Sequence, residues 1–464
     1  MKSLILIPVF LLTMLSGYAQ TPGNTGLVLD DDAYNNIPQQ SPTRALAALP
    51  ASYSLKMYAP DPANQGDNQT CTAWASAYCA GTIIQAIRKH LKERAEINQL
   101  AYSAANAYFM AHHAVDCQTA LKFTDVMDMM KGARGISLRD TGLKCITPAY
   151  KPNRSVVTEL ANAGYNRVFG TRDTGSTKIL GVKTAIYNHQ PVIIAVYEVN
   201  SLTLAYNVNL WQPHESTAGA DAHAMCVVAY DDNKYGGAFE LQNSWGKEFG
   251  KGGYIWIKYR DFAKYTCYAC QLFDKARARS IDGGDSYAGN IKLLLDDGSD
   301  MPVTRQDSSA DRPITTYKSV NSYKAGTDFQ FKLSNDEPAY VYAISADLVS
   351  SAKRIFPGDG ISPYLSYKQA EMIYPAEDSF IEFDKQPGTD YLCVFYSKTE
   401  LDIDNIINQI NHADGSFNQK VYKVTGSAMV NSGNLNFDNN NINFTGKSAD
   451  KDYVIVMVEL NHTL

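Results

Sequence analysis

The sequence predicts an α+β fold followed by a smaller β-rich domain, and three observations carry that prediction. An Ala-rich helical stretch spans residues 71–94, with a second near 103–113. The pattern then turns to strand-length apolar segments at 191–199, 223–229, 238–243 and 253–257. Beyond a polar stretch, residues 329–333 alternate apolar and polar, and 340–344 and 391–396 are again strand-like. Helices followed by strands within one dense region imply two packed halves, and the later strands imply a separate unit.

The chain of 464 residues has room for two or three domains, and 45% hydrophobic residues are enough to build their cores. Lys and Arg number 42 against 48 Asp and Glu, so there is no basic footprint for nucleic acid. At the N-terminus, Lys2 precedes an apolar run over 4–15, and Gly17 and Ala19 stand three and one positions before Gln20. That is the layout of a secretory signal peptide over 1–19, with a core too short to span a bilayer. No Cys lies at the expected cut, so a lipid anchor is not signalled. The expectation is an exported protein, periplasmic or secreted in a bacterium, without an integral membrane segment in its mature form.

Residues 20–48 are polar and read as a flexible leader or short propeptide; 49–280 form the dense globular region. Residues 281–316, rich in Gly, Asp, Ser and Pro and interrupted by an apolar stretch at 291–295, read as a linker. Residues 317–464 form the β-rich accessory domain, with one helix near 400–412 where Ile403, Ile406, Ile407 and Ile410 share a face. The Asn-rich stretch 431–443 reads as turns, and no internal repeat is visible.

Eight cysteines are present, at 71, 79, 117, 145, 226, 267, 270 and 393. Export permits disulfides, but their connectivity cannot be read from spacing. Cys267 and Cys270 lack a second Cys or His pair at zinc spacing, which leaves a local bridge or two buried thiols. His112 and His113 near Cys117 are adjacent, so on a helix they diverge and read as surface residues. No metal or cofactor is expected.

Three segments carry chemistry. In the first, Cys71 opens a helix after the polar loop Asn64-Gln65-Gly66-Asp67-Asn68-Gln69-Thr70, where the helix dipole favours a thiolate. Taken alone, Cys71 reads equally as a buried structural residue. In the second, Asp221-Ala222-His223-Ala224, a histidine stands at the mouth of an apolar strand, as a base or as a satisfied core residue. In the third, Asn243-Ser244-Trp245-Gly246 leaves a strand for a Gly-rich turn.

Together the three resemble the papain-like cysteine peptidase family. Gln65 stands six residues before Cys71, His223 follows about 150 residues later, and the Asn-Ser-Trp-Gly turn is intact. The resemblance covers about 49–275 and implies a two-lobed fold, with a helical lobe and a β-barrel-like lobe. It also implies a peptide substrate and an acyl-enzyme on Cys71. By the same resemblance, His223 is the base and later the acid, and Asn243 orients it under Trp245. Gln65 and the Cys71 amide receive the oxyanion, and Gly66 is a minor substrate contact.

Departures from the family accompany the match. Thr72 stands where a Trp follows the nucleophile, with Trp74 two residues on. Asn68 replaces a disulfide cysteine, leaving Cys117 without its family partner. Gln118-Thr119-Ala120 replaces a Gly-Gly wall, and Ala222 replaces a polar residue before the histidine. Asn68-Gln69-Thr70 is also a glycosylation acceptor, and a glycan there would obstruct the cleft, which suits a bacterial protein. The leader is too short for a long helical inhibitory prodomain, which leaves a short occluding leader or no zymogen.

Other functions are weighed against this one. Gly284-Asp285-Ser286 loosely resembles a serine nucleophile elbow, but polar residues precede it, so a linker serine is expected. The same Cys-His pair would also serve a thiol amidase or acyl-transfer enzyme acting on a non-protein amide. A third reading is a catalytically silent envelope-binding protein. The C-terminal domain is read either as a recognition module for substrate or envelope, or as a structural appendage.

Overall fold

The computed structural model describes residues 26–41, 44–45, 49–112, 117–131, 163–274, 286–347, 351–365, 370–376, 378–447 and 451–464. The proposed signal peptide, Cys145 and His113 lie outside them.

One continuous helical run, Cys71–Ala73, Trp74–Gly81 and Thr82–Arg88, forms the centre of the helical lobe, with Trp74–Gly81 wound as a π-helix. Residues 71–86 are all buried, as expected of a helix that is apolar and small all round. Ala73, Ala77 and Ala80 leave no surface to water and let a strand approach closely. The run ends earlier than expected: His90 has φ 52°, and a separate helix, Arg94–Gln99, follows. The helices Ala104–His112 and Asp125–Lys131 complete this lobe.

The second lobe is a twisted sheet in the order 163–167, 266–274, 192–198, 221–231, 238–242, 254–258 and 210–211. Its central strand, Asp221–Asp231, is buried from Ala222 to Tyr230 because sheet neighbours flank it and helices cover it. Its register places Val196 opposite His223 and Glu198 opposite Asp221. The strand Thr266–Asp274 was not anticipated, although eight of its nine residues are buried.

The leader is not flexible where it is described. Leu27–Val28 forms a short strand and Asp31–Asn35 a helix, capped by Asp30, whose side chain accepts from the Ala33 amide at 2.9 Å. Tyr34 is buried, stacks on Tyr268 at 4.1 Å and donates its hydroxyl to the Phe169 carbonyl at 2.7 Å. Leu27, Tyr34 and Ile37 are the apolar anchors that a polar average conceals.

The C-terminal domain is a sandwich of two sheets with a helix pair on one outer face. One sheet runs 44–45, 370–374, 328–335, 286–295, 442–447, 435–437; the other runs 303–306, 316–319, 453–463, 388–397, 339–346, 353–356. Leu392, Val394 and Tyr396 face the sandwich core, while Cys393 and Phe395 face the helices Ile403–His412 and Phe417–Thr425. A strand buried on both faces reads as an unbroken apolar run, which is why 391–396 was legible.

The expected linker is part of this sandwich. Ser286–Leu295 is an interior strand between 328–335 and 442–447, so the domain begins near residue 286. Its signal was masked by Gly289. A Cβ there would lie 2.8 Å from the rings of Phe444 and Tyr396, so the glycine serves close aromatic packing rather than a flexible link.

Candidate active site

The Cys71 helix packs against the His223 strand, and the Asn243 turn closes over both. Thr70 precedes the helix in a non-helical conformation, and its carbonyl accepts the Ala73 and Trp74 amides at 3.0 and 3.1 Å. The displaced tryptophan has a role: Trp74 Nε1 donates to Thr70 Oγ1 at 3.2 Å and buttresses the residue before the nucleophile.

His223 Nε2 lies 2.7 Å from Asn243 Oδ1, and both residues are buried. The Ser244 backbone N–H also donates to Asn243 Oδ1 at 2.7 Å. A backbone amide can only donate, so that carboxamide atom is an acceptor and His223 Nε2 must carry the hydrogen. The neutral imidazole therefore keeps its lone pair on Nδ1, a buried atom with no partner among the described residues. Trp245 lies over the imidazole, with centroids 4.4 Å apart, and Phe249 meets the indole edge at 5.2 Å.

The loop bearing Gln65 is zipped onto the same turn. The Gln65 amide donates to the Ser244 carbonyl at 2.7 Å, and the Gly246 amide to the Ala63 carbonyl at 3.0 Å. Ser244 Oγ donates to Gln65 Oε1 at 2.6 Å, and Gln65 Nε2 donates one hydrogen to the Asn68 carbonyl at 2.7 Å. Among the described residues, the second hydrogen on that nitrogen meets no acceptor, which leaves it for an incoming one. Gly66 sits exposed at φ +66°, at the turn that lets the loop double back.

Burial dominates the electrostatics. It pushes the Cys71 thiol up to about 12, against the pull of the Ala224, Thr72 and Cys71 amides, while Glu198 adds to the rise. Burial lowers His223 to about 4, with the Asn243 hydrogen bond opposing it. Burial thus disfavours the charged form of each group and opposes the thiolate that the helix dipole favours. Glu198 is itself raised to about 8, by burial first and then by Asp221 across the strand pair.

The departures from the family have structural explanations. Asn68 Nδ2 donates to the Gln65 carbonyl at 2.8 Å, so the residue in the disulfide position ties the loop in a different way. Cys117 is disulfide-bonded, and its carbonyl accepts the Gln69 amide at 2.7 Å. Gln118 Nε2 reaches Asn68 Oδ1 at 3.3 Å. Cys267 and Cys270 are buried free thiols, so no local bridge joins them. Among the described residues no group of three His, Cys, Asp or Glu is placed to hold a metal. Ser286 opens a strand and no helix follows it, unlike a nucleophile elbow.

Two residues beside the candidate site are not among those the sequence singles out. Ser244 anchors both Gln65 and Asn243; its signal was present, since it lies inside the quoted turn. Glu198 ends a strand that is otherwise apolar, and an acid in that place was the only sign of it.

Residues 70–273 match the family model described as papain family cysteine protease. No curated protein matches the chain. Among solved structures, xylellain, a cysteine protease from Xylella fastidiosa, is 18% identical, with 54% of this chain and 96% of that one covered at a TM-score of 0.42. Procathepsin L 3 of the Tenebrio molitor larval midgut is 18% identical, covering 52% and 77% at 0.40. The bromelain protease of Ananas comosus is 19% identical, covering 48% and 98% at 0.36. Residues 70–273 thus match the papain family of cysteine proteases, in a region that holds Cys71, His223 and Asn243 within one α+β unit, and a β-rich domain follows it.

Proposed function

We propose that the protein is an exported peptidase that hydrolyses peptide bonds through Cys71, His223 and Asn243, with Gln65 in the oxyanion site. The observation that carries this reading is the pair of hydrogen bonds to Asn243 Oδ1, which leaves the His223 Nδ1 lone pair free to act as base. His223 Nδ1 takes the thiol proton, and the sulfur attacks the substrate carbonyl carbon. The carbonyl oxygen gains the electron pair and is met by the Cys71 amide and the second hydrogen of Gln65 Nε2. Collapse of that intermediate breaks the C–N bond, and His223 gives its proton to the leaving amine. Water, deprotonated by His223, then attacks the thioester and restores Cys71.

Export is part of the proposal and rests on Lys2, the apolar run over 4–15, and Gly17 and Ala19. No described helix is long and apolar enough to cross a membrane. Contact with an envelope component through the C-terminal domain remains a proposal from the sequence reading.

The test is peptide mass spectrometry after exposure to an epoxide inhibitor of papain-like enzymes, with Cys71→Ala and His223→Ala alongside. The expected result is one adduct on Cys71, lost in the first variant and slowed in the second. An adduct on a different cysteine, or equal labelling in His223→Ala, would overturn the assignment.

A further inference from the structure

In this structure the proposed active site is closed. Cys71 and His223 are each 0% exposed and Gln65 is 5% exposed, which no peptide could reach. Part of that cover is the leader. Leu27 pairs with Leu121 on the helical side and with Ala222, the residue before His223, on the sheet side. The Leu121 amide donates to the Gly26 carbonyl at 3.1 Å. A Cβ on Gly26 would stand 2.1 Å from the Gln69 carbonyl group, so its backbone rests directly on the chain two residues before Cys71. The strand therefore lies between the two walls that carry the nucleophile and the base.

Two residues of strand hold few contacts of their own, and a two-residue pairing is weak in isolation. Tyr34 and Ile37 anchor the leader in the core of the peptidase domain, and a second set of bonds lies about ten residues on from Leu27. The Pro38 carbonyl accepts the Arg167 amide at 2.9 Å, and the Gln40 amide donates to the Arg167 carbonyl at 2.8 Å, on the edge strand of the peptidase sheet. Gln39, between them, turns the other way. Its amide donates to the Gly360 carbonyl at 2.7 Å, and its carbonyl accepts the Ser362 amide at 2.8 Å, both in the C-terminal domain. Ser41 Oγ donates to the Ser362 carbonyl at 2.8 Å, and Arg44 and Ala45 pair with Glu371 and Ala370 at the edge of the C-terminal sheet. The leader is thus a strand threaded between two domains, bonding alternately to each.

We propose that the C-terminal domain is the clasp that keeps the leader in the active-site cleft. By anchoring residues 39–45, it holds Gly26–Val28 at high local concentration over Cys71, as any short tether does for the segment it carries. Loosening residues 39–45 leaves Tyr34 and Ile37 as the remaining anchors and lets the cleft strand open more often, without altering a residue of the site. Water then reaches Cys71 and His223 and relieves the desolvation that disfavours their charged forms. This inference rests on the peptidase reading above.

The test is the rate of iodoacetamide labelling at Cys71 in the full chain, read by peptide mass spectrometry. The Gln39→Pro/Ser41→Ala double variant deletes the two donors that the leader offers to the C-terminal domain, the Gln39 N–H and the Ser41 hydroxyl. Leu27→Asp evicts the cleft strand directly and leaves the clasp intact. Loss of these two hydrogen bonds predicts roughly a tenfold or greater rise in labelling for the double variant, and a comparable rise for Leu27→Asp. A rise in Leu27→Asp alone overturns the clasp while sparing the peptidase reading. No rise in either overturns the proposal together with the assignment of Cys71 as an activated nucleophile. Cys226, Cys270 and Cys393 are each 0% exposed and report global unfolding if they label. Should they label in the double variant, Ser362→Pro breaks the same ladder from the other side, and the same two outcomes decide.

Discussion

Replacing Asn243 by Ala removes one oxygen on which two buried donors depend. His223 Nε2–H and the Ser244 amide each reach it at 2.7 Å, and Trp245 covers the first of these bonds. An unsatisfied buried donor costs about 1–3 kcal/mol, and the space left by the side chain admits some solvent, so the combined loss is about 2–4 kcal/mol. For a peptidase domain of this size that corresponds to a fall in Tm on the order of 5–15 °C. Activity falls separately, because the imidazole loses the contact that fixes both its tautomer and its tilt; a loss of about 2 kcal/mol in the transition state is roughly thirtyfold in kcat/KM. Asn243→Asp is the informative control. It keeps the acceptor, so the ring stays oriented, and its negative charge draws the His223 pKa upward. The assays are thermal denaturation and peptide hydrolysis across pH. Unchanged Tm and unchanged hydrolysis in Asn243→Ala would refute the argument that this oxygen organises the base.

Other consequences follow from the same geometry. Gln65→Ala removes the second oxyanion donor, and steady-state kinetics should show kcat reduced by about 10²–10³ with KM little changed. Ser244→Ala removes only the 2.6 Å bond that fixes Gln65 Oε1, so kcat should fall by a smaller factor, roughly three- to tenfold. Glu198, raised to about 8 by burial, opposes folding increasingly as pH climbs from its unfolded value near 4 towards 8. Glu198→Gln should therefore match the parent in Tm near pH 4 and exceed it at pH 8–9; parallel Tm–pH curves would show that the carboxyl ionises freely in the fold.

The candidate residues could be named from the sequence because their signals are local. Gln65, Cys71, His223 and Asn243 lie in short segments of distinctive type, and all four are buried. Strands buried on both faces, such as 221–231 and 388–397, were legible for the same reason: their apolar runs admit few alternatives. What escaped depends on partners distant in sequence. The strand Ser286–Leu295 contains Gly289 and Asn290, and only the rings of Phe444 and Tyr396 explain the glycine. The leader looked flexible because its three apolar anchors are spread over eleven positions, and its bonds go to residues such as Arg167 and Ser362. The burial of Cys71 and His223 was likewise unreadable, since the spacing that predicts a helix-start thiol says nothing about what covers it. Glu198 matters only through strand register.

The most direct test of the central claim is an acid-quenched reaction of the full chain with an activated peptide ester, followed by intact and peptide mass spectrometry. Parent protein, Cys71→Ala and His223→Ala are compared on the same substrate. The account predicts a mass gain equal to the acyl group, confined to the peptide containing Cys71. It should be absent in the first variant and slow to form and to decay in the second. Turnover without an acyl adduct, or an adduct on any other residue, would contradict it.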